Sequence, residues 1–214
     1  MVKSQQWINE NFPNREEKEK VKKLYIKNDQ GIDSISGQSY YFYKVQLEGE
    51  LNLSEFANLN YLDVRGSSFG VGTYQRLTKL DLNNCSKLEN IYVDYNDGQL
   101  AIEGGSTLNS IHLENCQNLV DFQISNSLTN LKKLNVKHCD KLVRISDLNK
   151  LVNLKEFSLY KCLNLTDLNG LNKLTNLTSI SVKGSKLTSL ELAYLDKLSN
   201  FLLIEVMVVV VIPD

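Results

Sequence analysis

The chain has 214 residues, and 24 Lys and Arg face 25 Asp and Glu, which gives a net charge of −1. A near-neutral chain is a poor candidate for general binding to phosphate backbones. At this length one core buries roughly 70% of the unfolded surface, so the chain can fold without disulfide or metal cross-links. Leucine (35) and asparagine (24) together supply 28% of the residues, and no proline lies between Pro13 and Pro213. This bias is typical of an internal repeat.

The first 44 residues predict a cap rather than a repeat. A helix is predicted over residues 4–12, with Ser4 as its N-cap and Pro13 after its end. The apolar side of this helix comprises Trp7, Ile8 and Phe12. Residues 16–23 are a run of charges that is typical of a solvated helix face. Because the open end of a repeat stack is apolar, we expect residues 1–44 to cover the first repeat; a separate docking helix is the alternative.

The pattern L-x-x-L-x-L-x-x-C, with Ile, Val or Phe in some apolar places, recurs after the cap. Copies begin at Leu59, Leu77, Leu108, Leu131, Leu154, Leu177 and Leu198. From Leu108 to Leu177 the step is a constant 23 residues, whereas the step from Leu77 to Leu108 is 31. Side chains alternate across a strand, so the x-L-x-L-x part predicts one strand per copy with its two apolar residues pointing inward. Parallel pairing of these strands would bury one continuous core, since no copy can bury its apolar side alone.

This pattern resembles the leucine-rich repeat, of the intracellular type with repeats of about 23 residues, and is similar to expanded fungal leucine-rich repeat families. The resemblance implies an α/β repeat fold: a solenoid with a parallel sheet on its concave face, a mostly irregular or short helical convex side, and a small N-terminal helical cap. We expect residues 1–44 to form the cap, residues 45–204 about seven repeats, and residues 205–214 an apolar tail.

The apolar tail has three interpretations. Residues 206–212 are strongly β-prone and uncharged, so they either add a last strand or lie exposed. A membrane anchor is the alternative, but the apolar run 201–212 is short against the roughly 20 residues that span a bilayer. The N-terminus lacks the apolar run of a secretion signal, so we expect a cytoplasmic protein with reduced cysteines and no membrane partner.

The cysteines occupy one repeat position and predict a buried column of thiols. They are Cys85, Cys116, Cys139 and Cys162. No paired Cys-x-x-Cys or Cys/His spacing points to zinc, so we expect no metal and no cofactor. His138 precedes Cys139, and neighbours at a strand end point to opposite sides, which argues against a nucleophile pair. No phosphate-binding glycine loop or serine nucleophile motif occurs, and we therefore expect that the chain is not an enzyme.

These observations predict a non-catalytic module that binds another protein on its concave strand face, and no nucleic acid. The alternative is a regulatory or substrate-recognition subunit of an enzyme complex such as a kinase, phosphatase or ubiquitin ligase. Side-chain alternation is expected to place these residues on the concave face: Tyr61, Asp63, Arg65, Lys79, Asp81, Asn83, Ser110, His112, Glu114, Lys133, Asn135, Lys137, Glu156, Ser158, Tyr160, Ser179, Ser181 and Lys183.

Two features of this expected face suggest how it binds. Its aromatic, imidazole and guanidinium side chains are the expected anchors, because such groups dominate interface energetics. They are Tyr61, Arg65, His112 and Tyr160. Residues 51–130 carry a net charge of −5 and residues 131–200 a net charge of +6. Lys133, Lys137 and Lys183 in the later repeats would therefore suit an acidic segment of the partner.

Overall fold

The computed structural model describes residues 2–27, 35–36, 40–67, 74–191, 195–204 and 209–211. Elements are numbered in chain order. The helices of this part of the chain are α1 (Ser4–Asn11), α2 (Arg15–Lys20) and two single 3-10 turns, Leu148–Lys150 and Leu171–Lys173. All other regular structure in the same ranges is β-strand, and the strands run parallel with one exception.

The larger sheet, here called the front sheet, contains ten strands within the described residues. Across the sheet they are β3 (Ile35–Ser36), β4 (Tyr40–Lys44), β2 (Lys23–Lys27), β6 (Tyr61–Arg65), β8 (Asn90–Asp94), β10 (Ser110–Glu114), β11 (Lys133–Lys137), β12 (Glu156–Cys162), β13 (Ser179–Ser185) and β15 (Asn200–Ile204). Only β3 pairs antiparallel, with β4. β2 and β4, which were expected within the cap, thus hydrogen-bond in the same sheet as the repeats.

A second, smaller sheet, here called the back sheet, has four parallel strands in the described part of the chain. They are β1 (Val2–Lys3), β5 (Leu47–Asn52), β7 (Arg76–Leu82) and β9 (Ala101–Gly104). From β4 to β10 the chain alternates between the two sheets, one front strand and one back strand in turn. β14 (Ser189–Glu191) pairs separately with β16 (Val209–Val211). The latter is the described portion of the expected tail; the rest of residues 205–214 lies outside the described residues.

The core between the sheets is one stack of apolar side chains. Ile111, Leu134, Phe157 and Ile180 pair in register on successive strands, and all four are buried. Their sequence neighbours on each strand are more exposed, which is the alternation that a half-buried strand requires. The predicted parallel sheet with one strand per repeat and inward leucines is therefore confirmed.

The placement of the copy that begins at Leu77 was wrong. Its strand, β7, belongs to the back sheet and pairs with β5 and β9. The front strand of this repeat is β8, and Leu88 starts the segment L-x-x-I-x-V-x-x-N that leads to it. Both segments bury alternate apolar residues, so the pattern alone does not distinguish a front strand from a back strand.

The convex side differs between the two halves of the chain. An irregular or short helical side was expected, and the 3-10 turns at 148–150 and 171–173 agree with that expectation. Leucines there recur every third residue, from Leu165 through Leu168, Leu171 and Leu174 to Leu177, which is the period of a 3-10 helix. In the first half, β5, β7 and β9 occupy this side because their buried residues recur every second position, as Leu80 and Leu82 do.

The N-terminal helices close the first turn of the solenoid. Trp7, Ile8 and Phe12 are buried, and the Phe12 ring lies 5.2 Å from that of Phe56 and 5.5 Å from that of Tyr41. The predicted N-cap was wrong: α1 begins at Ser4 itself, whose hydroxyl donates to the Glu48 carbonyl in the back sheet at 2.8 Å. α2 is capped by Asn14, whose side chain accepts from the Glu17 N–H.

The four cysteines are buried, as predicted, but they do not form one column, because Cys85 follows the back strand β7 whereas Cys116, Cys139 and Cys162 lie at the ends of front strands. Cys85, Cys116, Cys139 and Cys162 are free and buried. The Cys85 thiol donates to the Leu53 carbonyl at 3.1 Å. Burial raises the pKa of the Cys85 and Cys162 thiols to about 12, so both are protonated at neutral pH.

Candidate binding surface on the front sheet

The outward side chains of the front sheet from β2 to β15 form one surface, here called the strand face. The parallel register aligns them in three rows that run across the strands. Neighbouring strands, and so neighbouring residues in a row, are about 4.8 Å apart. The first row is Lys23, Tyr61, Asn90, Ser110, Lys133, Glu156, Ser179 and Asn200. The middle row is Tyr25, Asp63, Tyr92, His112, Asn135, Ser158, Ser181 and Leu202. The last row is Lys27, Arg65, Asp94, Glu114, Lys137, Tyr160, Lys183 and Ile204.

Most of the residues expected on the concave face lie together on the strand face. These are Tyr61, Asp63, Arg65, Ser110, His112, Glu114, Lys133, Asn135, Lys137, Glu156, Ser158, Tyr160, Ser179, Ser181 and Lys183. The placement of Lys79, Asp81 and Asn83 was wrong, because β7 lies in the back sheet and Asn83 follows it. Lys79 instead forms an ion pair with Glu103 of β9 at 2.9 Å.

Sequence reasoning missed the contribution of β8 to the strand face. Asn90, Tyr92 and Asp94 occupy the places that the sequence pattern assigns to residues of β7. The signal was present, because Leu88, Ile91 and Val93 have the spacing of the other copies. Tyr25 and Lys27 are also absent from the predicted face, since the sequence predicts residues 1–44 as a cap without a front strand on the binding surface.

A buried carboxylate organises the first part of the strand face. The Asp63 side chain is only 1% exposed, although it points outward. The Arg65 guanidinium donates two hydrogen bonds to it, 2.6 Å from Nε to Oδ1 and 2.8 Å from Nη2 to Oδ2, and Lys27 lies 3.4 Å away. Burial alone would lower the pKa of Arg65, but the hydrogen bonds to Asp63 raise it. This bidentate pair fixes the orientation of the guanidinium plane.

Arg65, Tyr92 and His112 form a stack across three strands. The guanidinium carbon of Arg65 lies 4.1 Å from the centre of the Tyr92 ring. On the other side, the His112 ring is stacked on Tyr92 at 4.0 Å with 9° between the planes. The Tyr92 hydroxyl donates to Oε2 of Glu114 at 2.9 Å, and His112 Nε2 lies 2.9 Å from the same oxygen. The stack is thus held at both ends by carboxylates.

The pKa values around this stack follow from its hydrogen bonds. Burial would raise the pKa of Glu114, but the hydrogen bonds from His112 and Tyr92 lower it below the ordinary value. Burial, followed by the hydrogen bond to Glu114, raises the pKa of Tyr92, so this phenol remains a donor. Burial also raises the pKa of Asp94, whose carboxylate accepts from the Asn115 amide at 3.0 Å.

A basic cluster surrounds Tyr160 in the later repeats. Nζ of Lys161 lies 5.5 Å from the centre of the Tyr160 ring and Nζ of Lys183 lies 5.6 Å from it. The His138 ring contacts Tyr160 edge-on at 5.0 Å. Lys137 precedes Tyr160 in the last row. Lys133, which was expected to belong to this group, is instead paired with Glu156 at 2.8 Å.

The described part of the chain contains no group of three or more His, Cys, Asp or Glu side chains that could hold a metal ion. Within the same residues, no helix is long and apolar enough to cross a membrane.

Comparisons with known proteins gave structural matches alone. No family model matches the chain, and no curated protein matches its sequence. A solved domain of InlJ from Listeria monocytogenes, described as including a cysteine ladder, aligns at 18% identity and a TM-score of 0.43, over 76% of this chain and 40% of that one. The internalin InlF of Listeria monocytogenes aligns at 19% identity and a TM-score of 0.45, over 94% and 72%. A leucine-rich repeat protein of Leptospira interrogans aligns at 15% identity and a TM-score of 0.22, over 75% and 64%.

Proposed function

We propose that the chain is a leucine-rich repeat protein and that it is a non-catalytic module whose strand face binds another protein. The observation that carries this proposal is the stack of Arg65, Tyr92 and His112, fixed by Asp63 and Glu114. Arginine and aromatic side chains supply most of the energy of protein interfaces, and groups that are already ordered lose little entropy on binding. The strand face is mostly polar between β2 and β13, which suits a reversible partner.

The thiols support a binding role rather than a catalytic one. A cysteine nucleophile needs a lowered thiol pKa and access to substrate. Cys116 and Cys139 are buried on the core side of the front sheet, and contact with Cys116 together with burial raises the pKa of Cys139 well above its ordinary value. Free, buried thiols also support the proposed cytoplasmic location, because reducing compartments keep cysteines unpaired.

The test is capture of the partner from the native host on the immobilised full chain, followed by affinity measurements with variants. We expect Tyr92→Ala and Arg65→Ala to weaken binding at least about tenfold, as losses at interface anchors do. The matched control is the back-sheet ion pair, with Lys79→Ala and Glu103→Ala, and binding should not change. Thermal melting of each variant separates lost contacts from lost folding.

The opposite pattern would refute the proposed surface: full affinity in the Tyr92 and Arg65 variants, with binding lost in the back-sheet variants. If a kinase, phosphatase or ubiquitin-ligase activity is retained with the chain in this experiment, the partner is an enzyme and the chain is a subunit that recruits or regulates it.

A further inference from the structure

The strand face carries two charge environments. Between β6 and β10 each carboxylate is engaged by a neighbour: Asp63 by Arg65, Asp94 by Asn115, and Glu114 by His112 and Tyr92. Between β11 and β13 the only carboxylate of the three rows, Glu156, is paired with Lys133. Among the described residues, no ion pair is formed by Lys137, Lys161 or Lys183.

We propose that Lys137, Lys161 and Lys183, arranged around Tyr160, form a subsite for an acidic, extended segment of the partner protein. This inference rests on the proposed function of the strand face and specifies the charge and conformation of the partner segment that binds at this subsite.

The spacing of the subsite fits a peptide in extended conformation. Lys137, Tyr160 and Lys183 are consecutive in the last row, so the two lysine Cα atoms are about 10 Å apart. In an extended segment, acidic residues two positions apart point to the same side at about 7 Å. Flexible lysine side chains can reach both carboxylates, while the half-buried Tyr160 ring offers a flat contact between them.

The neighbouring strands argue for an acidic protein segment rather than a nucleic acid. Asp94 and Glu114 precede Lys137 in the last row, one on each of the two adjoining strands β8 and β10. A continuous phosphate backbone that crosses the sheet would approach these carboxylates after leaving the lysines, and like charges would oppose it. A short acidic stretch that continues as basic residues meets opposite charge along its whole path.

The experiment uses the full chain and labelled synthetic peptides of roughly ten residues, in which every second residue is Glu in one and Gln in the other. We expect fluorescence anisotropy to show binding of the Glu peptide alone, with an affinity that falls as salt rises. The double charge reversal Lys137→Glu with Lys183→Glu should weaken this binding at least about tenfold. The control, Lys150→Glu with Lys173→Glu, makes the same charge change on the 3-10 turns and should leave affinity unchanged.

Three outcomes would overturn the acidic subsite. They are equal binding of the Glu and Gln peptides, equal loss in the front-sheet and control reversals, and tighter binding of a single-stranded oligonucleotide that the front-sheet reversal abolishes. A captured partner that requires Tyr92 and Arg65 but tolerates the Lys137 and Lys183 reversal would overturn this inference alone and leave the proposed function standing. A partner insensitive to all four positions would overturn both.

Discussion

A single left-handed residue lies close to the end of the strand in most repeats. The positive φ angles are those of Asn84 (62°), Tyr95 (48°), Asn115 (49°), His138 (50°), Lys161 (51°) and Gly184 (63°). Each residue stands directly before the Cys, Asn or Ser that closes the repeat pattern. For residues other than glycine this conformation costs roughly 1–2 kcal/mol. The turn repeats because it directs the following small residue into the core, and it places His138 and Lys161 beside Tyr160.

Two glycines with similar positive φ angles allow the cost of backbone strain to be separated from the cost of a steric clash when each is replaced by alanine. Gly49 (φ 83°) has open space where a Cβ would point, whereas a Cβ at Gly104 (φ 75°) would lie 2.5 Å from the Asn83 nitrogen in the turn after β7. We expect Gly49→Ala to cost about 1 kcal/mol of unfolding free energy, from conformation alone. Gly104→Ala should cost at least about 2 kcal/mol more because the backbone must move. Chemical denaturation measures both; equal costs would show that β9 can shift freely.

The lowered pKa of Glu114 predicts an acid-sensitive contribution to stability. Its folded pKa lies below the unfolded value, so the unfolded state binds the proton more readily as pH falls. The contribution is present above the unfolded pKa of about 4.3 and is lost as pH falls through the folded pKa. Urea unfolding of the wild type and Glu114→Gln should therefore differ at pH 7, and the difference should shrink as pH falls and Glu114 becomes protonated. A constant difference would assign the effect to packing.

Buried amides join the back-sheet strands to the front-sheet strands. Gln75 is fully buried and accepts from the Leu47 N–H at 2.7 Å, while its amide donates to the carbonyls of Val45 and Arg65. Asn96 is also fully buried, and it accepts from the Leu77 N–H at 2.8 Å and donates to the Leu77 carbonyl at 3.0 Å. These two side chains satisfy backbone groups that the irregular turns leave unpaired.

Removal of one such amide should destabilise the protein well beyond the average substitution. Asn96→Ala leaves the Leu77 N–H and carbonyl buried without these partners, and we expect a loss of about 2–4 kcal/mol. Asn83→Ala, at an exposed position in the turn after β7, should cost no more than about 0.5 kcal/mol. Thermal and urea unfolding of both variants check this; similar losses would mean that water replaces the amide at Asn96.

Substitutions at two adjacent residues of β11 test the register of the front sheet. Leu134→Ala should cost about 2–5 kcal/mol because Leu134 is fully buried between Ile111 and Phe157. The adjacent outward variant Asn135→Ala should stay within about 0.5 kcal/mol. Comparable losses in both variants would place the strand one residue out of register.

The four buried thiols, one after a back strand and three at the ends of front strands, test the packing of the whole stack. All four cysteines are buried, and burial raises the pKa of Cys85 and Cys162 to about 12. Alkylation should be slow in the native protein and rapid in denaturant, because a buried, protonated thiol is a poor nucleophile. Mass spectrometry after timed labelling measures this. Rapid native labelling of Cys116 or Cys139 would show that the repeats open locally.

Periodicity in the sequence predicted most of the front sheet, and two of its failures share a physical origin. The constant step of 23 residues located β10 to β13 correctly. Where back strands alternate with front strands, Leu77 and Leu88 begin segments of the same period, and the pattern wrongly predicts that the segment from Leu77 is the front strand. The same error leaves Tyr92 out of the predicted binding surface. Tyr92 stacks with Arg65 and His112 because these residues lie on adjacent strands in register. The spacing of leucines within the sequence does not determine which residues of different strands lie side by side.

The change from a back sheet to 3-10 turns has a consequence for curvature. Where β5, β7 and β9 oppose the front sheet, both sides advance by the same strand spacing of about 4.8 Å, so successive repeats stack without bending. After β11 and after β12 a 3-10 turn, which is broader than a strand, stands in place of a back strand, so we expect the back of these repeats to advance further than the front. The solenoid should therefore run straight through the Arg65–Tyr92–His112 stack and bend only where the lysines surround Tyr160, wrapping that part of the surface around whatever lies across it.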